Sequence, residues 1–170
     1  AAVTNAILYQ RDGNLEKAKQ QIDLAEAHEK TKGSAKTWYY KGLIYSDIYK
    51  SDDVKVKELA LDALMTSTNA FYKAIELENN PSGEYTPLAN KQLEDNWVNL
   101  VNRGIAYYQS KKHLDALDMF VVAQKIKPAD TTAFLYGTYA AEAIGKTDLV
   151  QDYSNKLLKL NYKSLYIYSN

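Results

Sequence analysis

The chain has 170 residues, of which 46% are hydrophobic and 25% charged, and its 21 basic residues balance 21 acidic ones. A net charge of zero provides no field that would attract nucleic acid or an anionic membrane, so neither is an expected partner. The sequence has no apolar run of about 18 residues, the length that would suggest a membrane-spanning helix. It has no cysteine, which excludes disulfides and thiolate metal sites, and its 7 glycines and 3 prolines are too few for an all-β fold with many turns.

The first 33 residues predict a pair of helices separated by a polar break at residues 11–14, with Gly33 closing the pair. The helical spacing of small and large residues is carried by Ala6, Tyr9, Ala18, Ile22 and Ala25. Because the chain begins at Ala1 without a methionine or the apolar core of a signal peptide, we expect that a leader or a preceding segment has been removed.

Residues 35–78 predict a second pair of helices. The first helix contains the segment WYYKGLIY at residues 38–45, and the second ends in a stripe formed by Ser67, Phe71 and Ala74. We expect Trp38 to be buried between this pair and the first one.

The second pair is longer than a regular one. Ser67 follows Tyr45 by 22 residues, which is 13 more than the equivalent spacing in the regular pair at 97–130, so we place an insertion at about residues 46–58. The inserted residues have a helical pattern with N-cap candidates at 51–53, which predicts one long helix from about Asp53 to residue 77.

A second insertion, of fifteen residues, is placed at about residues 79–96. Residues 79–85, with the sequence NNPSGEY, predict a loop. Thr86 and Pro87 then supply an N-cap and a first-turn proline, which predict a helix start.

Residues 97–130 give the clearest helix pair. Its two stripes are formed by Leu100, Gly104, Tyr107, Ala116, Phe120, Ala123 and Ile126. Residues 110–112 are the polar break, and Pro128 ends the pair. Gly104 and Ala116 are expected to face each other, because two helix axes approach closely only where no large side chain intervenes.

A fourth pair follows at one period, with its turn at residues 145–148. The equivalent stripe residues are Phe134, Thr138, Ala141, Val150, Ser154 and Leu157, and Tyr162 takes the place of Pro128. The chain then ends in an apolar segment formed by Leu165, Tyr166, Ile167 and Tyr168.

The order of small and large residues at 100–128 resembles the tetratricopeptide repeat (TPR), a helix–turn–helix unit of about 34 residues. Residues 38–45 are similar to the opening of the same motif, with Lys41 in place of its leucine. The resemblance implies an all-α, right-handed α-solenoid of about four TPR-like helix–turn–helix repeats, two of whose helices are lengthened by insertions. Residues 1–170 would form one domain, with repeats at about 1–33, 35–78, 97–130 and 131–163.

The resemblance also implies a function as a non-catalytic protein–protein interaction scaffold that binds a peptide or a partner helix on its concave face. In this family the stripe next to the packing stripe of each first helix lines that face. The helix at 97–108 is apolar on both stripes, which is typical either of a helix covered by its neighbours or of a binding surface. The predicted partner-binding residues are Tyr39, Leu43, Val101, Ile105, Tyr108, Leu135 and Tyr139.

The sequence offers no pattern of residues that suggests catalysis, which requires a nucleophile, a base and an orienting group within reach of one another. The two histidines, His28 and His113, do not have the spacing of a zinc-binding helix. Asp52 and Asp53 form a carboxylate pair that we interpret as helix capping, and no glycine-rich phosphate loop is present. We therefore expect no enzyme activity, no cofactor and no metal.

Two other functions stay open. Tyrosine and tryptophan rings stack on sugars, which would suit a carbohydrate-binding component of an exported bacterial system. The apolar termini would suit a self-assembling structural module or a homo-oligomer. The tyrosine-rich, cysteine-free composition favours an exported, periplasmic location over a cytoplasmic one.

Overall fold

Helices make up all the regular secondary structure of residues 1–162, the part of the chain that the computed structural model describes. They are α1 (Ala2–Arg11), α2 (Leu15–Ala27), α3 (Ala35–Lys50), α4 (Val54–Lys57), α5 (Ala63–Glu78), α6 (Thr86–Gln109), α7 (His113–Ile126), α8 (Thr132–Ala143) and α9 (Thr147–Lys159). The prediction of an all-α chain is confirmed over these residues. Within the same range, no helix combines the length and the apolar character needed to cross a bilayer. The predicted apolar segment at 165–168 lies outside the described residues.

The chain divides into two compact units, Ala1–Asn96 and Trp97–Asn170. In the first unit α1 packs against α2, and α3 packs against both α2 and α5. In the second unit α8 packs against both α7 and α9. Helix α6 contributes its residues up to Asn96 to the first unit and the rest to the second.

A glycine lies against a phenylalanine ring in each unit. A Cβ atom added to Gly104 would be 2.6 Å from Cε1 of Phe120, and one added to Gly42 would be 2.6 Å from Cδ1 of Phe71. Both rings are fully buried. The glycines do allow close approach, as predicted, but the group nearest to the missing side chain of Gly104 is the ring of Phe120, which lies directly on the helix backbone.

The two glycine–phenylalanine contacts span different lengths of chain. Phe71 follows Gly42 by 29 residues and Phe120 follows Gly104 by 16, a difference of 13. In the first unit the same spacing of 16 separates Ala6 from Ile22, which belong to one buried cluster. Ala6 is slightly larger than glycine, and Ile22 is slightly smaller than phenylalanine. The two changes in size compensate, as close packing of a core requires.

The prediction of one long helix from Asp53 to residue 77 is wrong. The structure has the single-turn helix α4, a break at residues 58–62, and then α5. Val56, Leu59 and Ala60 all pack against the buried cluster of the first unit. Burial of these side chains against that cluster outweighs the helical propensity of the segment.

The predicted loop and helix start in the second insertion agree with the structure. Asn79 ends α5 in a left-handed conformation with φ of 47°. Residues 79–85 contain no helix, and α6 begins at Thr86.

The expected burial of Trp38 is wrong. Its side chain is only partly buried, and its Nε1–H donates a hydrogen bond of 2.7 Å to the carbonyl oxygen of Lys32. An indole N–H needs a hydrogen-bond acceptor when it is removed from water. For Trp38 that acceptor, the Lys32 carbonyl, lies at the surface in the turn before α3.

We expect Gly104→Val to destabilise the second unit by about 1–3 kcal/mol, because the new side chain would overlap the Phe120 ring in a close-packed core. The higher helix propensity of valine would offset only a few tenths of a kcal/mol. Urea unfolding of the variant and the parent protein measures the difference.

Gly33→Ala is the matched control, since a Cβ at Gly33 meets no atom within 4 Å. Its free energy of unfolding should stay within about 0.5 kcal/mol of the parent's. Equal stability of both variants would contradict the packing described for Gly104.

Candidate functional site

Two of the predicted partner-binding residues, Tyr39 and Leu43, lie on α3 in the first unit. Tyr39 is buried, with 8% of its surface exposed, whereas Leu43 is partly exposed. The ring centroid of Tyr39 lies 5.4 Å from that of Tyr40, 5.9 Å from that of Phe71 and 5.4 Å from that of Tyr85. Tyr85 belongs to the predicted loop, so this loop covers Tyr39 from outside the α3–α5 pair.

A carboxylate holds Tyr85 in place. The Glu78 carboxylate, at the end of α5, accepts hydrogen bonds from the backbone N–H of Tyr85 at 3.0 Å and of Thr86 at 2.6 Å. A Cβ at Gly83 would overlap that carboxylate, so a larger residue at this position would displace the Glu78 side chain. Desolvation acts to raise the pKa of Glu78, but hydrogen bonds from Thr86, Tyr85 and Glu84 outweigh it and hold the pKa below its ordinary value of 4.5.

The other five predicted residues lie in the second unit. Val101 is buried, with 6% exposed, while the remaining four are partly exposed. We call those four the tyrosine face: on α6 and α8 they are Ile105, Tyr108, Leu135 and Tyr139. They share the spacing of three or four residues that places side chains on one side of a helix.

Tyr139 lies at the centre of this face. Burial raises its pKa, and so do Tyr162, Tyr136, Tyr108 and Glu142, which lie close enough to interact with it electrostatically. Its ring centroid is 6.1 Å from that of Tyr136. The Tyr139 phenol therefore stays neutral and able to donate a hydrogen bond well above pH 7.

The rings around Tyr139 are fixed by the core beneath them. Tyr136 stacks on the buried Phe120 ring with centroids 5.8 Å apart. The Tyr108 ring lies 5.0 Å from that of His113. A side chain anchored in this way loses little further conformational entropy when it contacts a partner.

The end of α9 brings Tyr162 to the same region. Asn161 has a left-handed φ of 58°, and the N–H of Tyr162 donates to the carbonyl of Leu157 at 3.0 Å, as in a helix C-cap that reverses the chain. Tyr162 then packs with Leu135 on the cluster formed by Phe134 and Leu157.

A buried charge network in the first unit was not predicted. Lys41, 8% exposed, forms ion pairs with Glu26 and with Asp23, whose Oδ1 is 3.4 Å from its Nζ. The Tyr45 hydroxyl donates to Asp23 at 2.9 Å, and burial and this hydrogen bond raise the pKa of Tyr45 well above its ordinary value. The sequence signal was Lys41 itself, a lysine where the repeat pattern has leucine.

Neither histidine belongs to a cluster of catalytic groups. His28 is exposed, and its Nδ1 accepts a hydrogen bond from the N–H of Lys30 at 3.1 Å. His113 packs on Tyr108 at the edge of the tyrosine face. Over residues 1–162, no group of three or more histidine, cysteine, aspartate or glutamate side chains could hold a metal ion.

Comparisons with known proteins add no assignment. No protein-family model matches the chain, and no curated protein matches it at a significant level. The TPR resemblance therefore depends on the residue pattern of 100–128 and its counterparts in the other helix pairs.

We expect Asp23→Asn combined with Glu26→Gln to destabilise the first unit by roughly 1–3 kcal/mol, because Lys41 would be left buried without a counter-charge. The expected loss of stability is smaller than for a fully buried ion pair because about a third of each carboxylate side chain is exposed to screening solvent. Urea unfolding measures the loss.

Lys41→Met is the informative comparison, since it removes the charge and keeps an apolar stem. Its free energy of unfolding should lie within about 1 kcal/mol of the parent's. A loss from Lys41→Met as large as that from the double variant would show that the lysine charge itself stabilises the fold.

Glu78→Gln should reduce stability more at pH 7 than at pH 3. The lowered pKa of Glu78 means that its contribution is present above the ordinary glutamate pKa of 4.5 and is lost as pH falls through the folded-state value. Urea unfolding at both pH values measures this. The exposed Glu58 provides a Glu58→Gln control with little effect at either pH, and a pH-independent loss in Glu78→Gln would contradict the role assigned to the carboxylate.

Proposed function

We propose that the helix pairs of this protein are about four TPR-like repeats of a right-handed α-solenoid, and that the protein is a non-catalytic scaffold for protein–protein interaction. Its partner, a peptide or an amphipathic helix, binds on the tyrosine face of the second unit. The observation that carries the proposal is the partial exposure of four apolar side chains on the first helices of two successive pairs.

The repeat assignment is supported by residues one period apart. Thr138 and Ser154 follow Gly104 and Phe120 by 34 residues each, and all four are buried. Buried residues thus recur at the same positions of successive pairs, which is the pattern expected when one structural unit recurs.

The chemistry of the tyrosine face favours a protein partner. Tyrosine rings are enriched where proteins bind each other, because they offer a large apolar area together with one hydroxyl and few rotatable bonds. Ile105 and Leu135 add aliphatic surface beside Tyr108 and Tyr139. Two apolar stripes on neighbouring helices suit a partner helix with apolar residues at every third or fourth position.

The burial of Tyr39 and Val101 restricts the proposed contact residues. These two side chains have 8% and 6% of their surface exposed, so they support their helices and offer little area to a partner. Leu43 is partly exposed on the first unit and is treated separately below.

The test begins with a photo-crosslinking amino acid at position 139, which would capture the partner in an extract of the source cells for identification. Binding of the purified partner is then measured with Tyr139→Ala. We expect affinity to fall by about tenfold or more, because truncation of a central interface tyrosine costs at least about 1.4–2 kcal/mol.

Leu114→Ala is the matched control. Leu114 is also an apolar side chain at the surface, 65% exposed in the first turn of α7, but it is not part of the tyrosine face. Its affinity should be unchanged. Parent-level binding by folded Tyr139→Ala and by Ile105→Ala would overturn the proposed site.

A further inference from the structure

The surface of α3 in the first unit corresponds to the surface of α8 in the second unit. The α3 surface is covered, whereas the α8 surface is partly exposed. In the repeat register, Tyr39 and Leu43 have on α3 the positions that Leu135 and Tyr139 have on α8. In the first unit, however, a segment of the same chain lies over this position, since Tyr85 contacts Tyr39 ring to ring at 5.4 Å.

We propose that residues 79–85 act as an intramolecular ligand: Tyr85 occupies a site on α3 that accepts an aromatic side chain of a partner peptide when this segment is displaced. The inference rests on the proposed function, because it treats α3 as a second binding surface of the same kind.

The contacts around Tyr85 are those of an aromatic side chain on an acceptor surface. Tyr39 supports it from below, and Tyr40 and Phe71 in turn support Tyr39, with ring centroids separated by 5.4 and 5.9 Å. The planes of Tyr39 and Tyr85 are inclined at 46°. These distances and the tilted geometry are in the favourable range for aromatic pairs.

The segment that carries Tyr85 is held by polar contacts and buries little apolar surface, since Pro81, Ser82 and Glu84 are exposed. The Glu78 carboxylate binds the N–H groups of Tyr85 and Thr86, and the Tyr85 carbonyl accepts the first hydrogen bond of α6, from the N–H of Ala89 at 2.8 Å. A loop with few buried apolar groups belongs to the part of a fold that opens at a lower free-energy cost than the core.

The ligand chemistry follows from the occupant. Tyr85 reaches the surface from an irregular segment with glycine and glutamate directly before it, so the matching partner is a short non-helical peptide with a tyrosine or phenylalanine. Glu84, the acidic residue next to Tyr85, is exposed in this chain. The group that the α3 surface recognises is therefore the aromatic ring.

The first experiment measures nitration of Tyr39 by tetranitromethane, mapped by mass spectrometry, and it requires no identified partner. In the parent protein Tyr39 should react slowly. In Tyr85→Ala its rate should rise by about tenfold or more, because reactivity follows the population of the uncovered state. Tyr85→Phe, which keeps the ring, should retain slow nitration, as should the control Leu88→Ala, which alters an exposed residue of the first turn of α6.

The second experiment adds a peptide with the sequence of residues 82–88 and phenylalanine in place of Tyr85, which nitration cannot consume. The peptide should slow nitration of Tyr39 in Tyr85→Ala, and its alanine counterpart should not. Glu78→Gln, which keeps the ring but weakens its anchor, should nitrate at an intermediate rate.

Three results would overturn the inference. Slow nitration of Tyr39 in folded Tyr85→Ala would show that Tyr85 is not its cover. Fast nitration without protection by the phenylalanine peptide would make Tyr85 a structural cover only. Unfolding of the first unit in Tyr85→Ala, seen by circular dichroism, would place Tyr85 in the core. None of these results depends on the tyrosine face of the second unit, whose failure would appear in the Tyr139→Ala binding measurement.

Discussion

The absence of a side chain at Gly42 and Gly104 is the constraint on which much of the packing depends. Each glycine lets a buried phenylalanine ring lie on the backbone of the opposite helix, so that one large side chain fills the space between two helices. Side chains of the adjacent stripe, such as Ile105 and Tyr108, pack against the same buried cluster but stay partly exposed. The side chains at this stripe are then available to cover loops, to contact other helices or to meet a partner.

The stripe has different surroundings in the two units. In the first unit the hydrogen bonds to Glu78 hold the segment 79–85 so that Tyr85 contacts Tyr39. In the second unit the equivalent helix, α8, carries the partly exposed Leu135 and Tyr139. The same register therefore gives a covered surface and a partly exposed one, which is why we assign partner binding first to the second unit.

The sequence predicted what local pattern determines and missed what distant segments decide. Helical segments and the helix start at Thr86 follow from spacing and capping, which are properties of adjacent residues. The break at 58–62 and the burial of Tyr39 depend instead on contacts with residues far along the chain. For the site, the TPR resemblance suggested a stripe of seven residues, but it could not show that Tyr39 and Val101 are buried while the four residues of the tyrosine face are partly exposed.

The chain has 15 tyrosines among its 170 residues. Tyrosine suits internal positions and the tyrosine face for different physical reasons. At internal positions the hydroxyl has a polar partner from the same unit: Tyr45 donates to Asp23, and the Tyr107 hydroxyl accepts from Arg103 at 2.7 Å. At the tyrosine face the rings also contact one another, as Tyr139 contacts Tyr136. A contact residue must be buried favourably when a partner binds and must tolerate water when no partner is bound. Phenylalanine meets only the first condition, whereas tyrosine meets both. For the proposed scaffold, tyrosine at these positions of the second unit gives contact residues that tolerate water while no partner is bound.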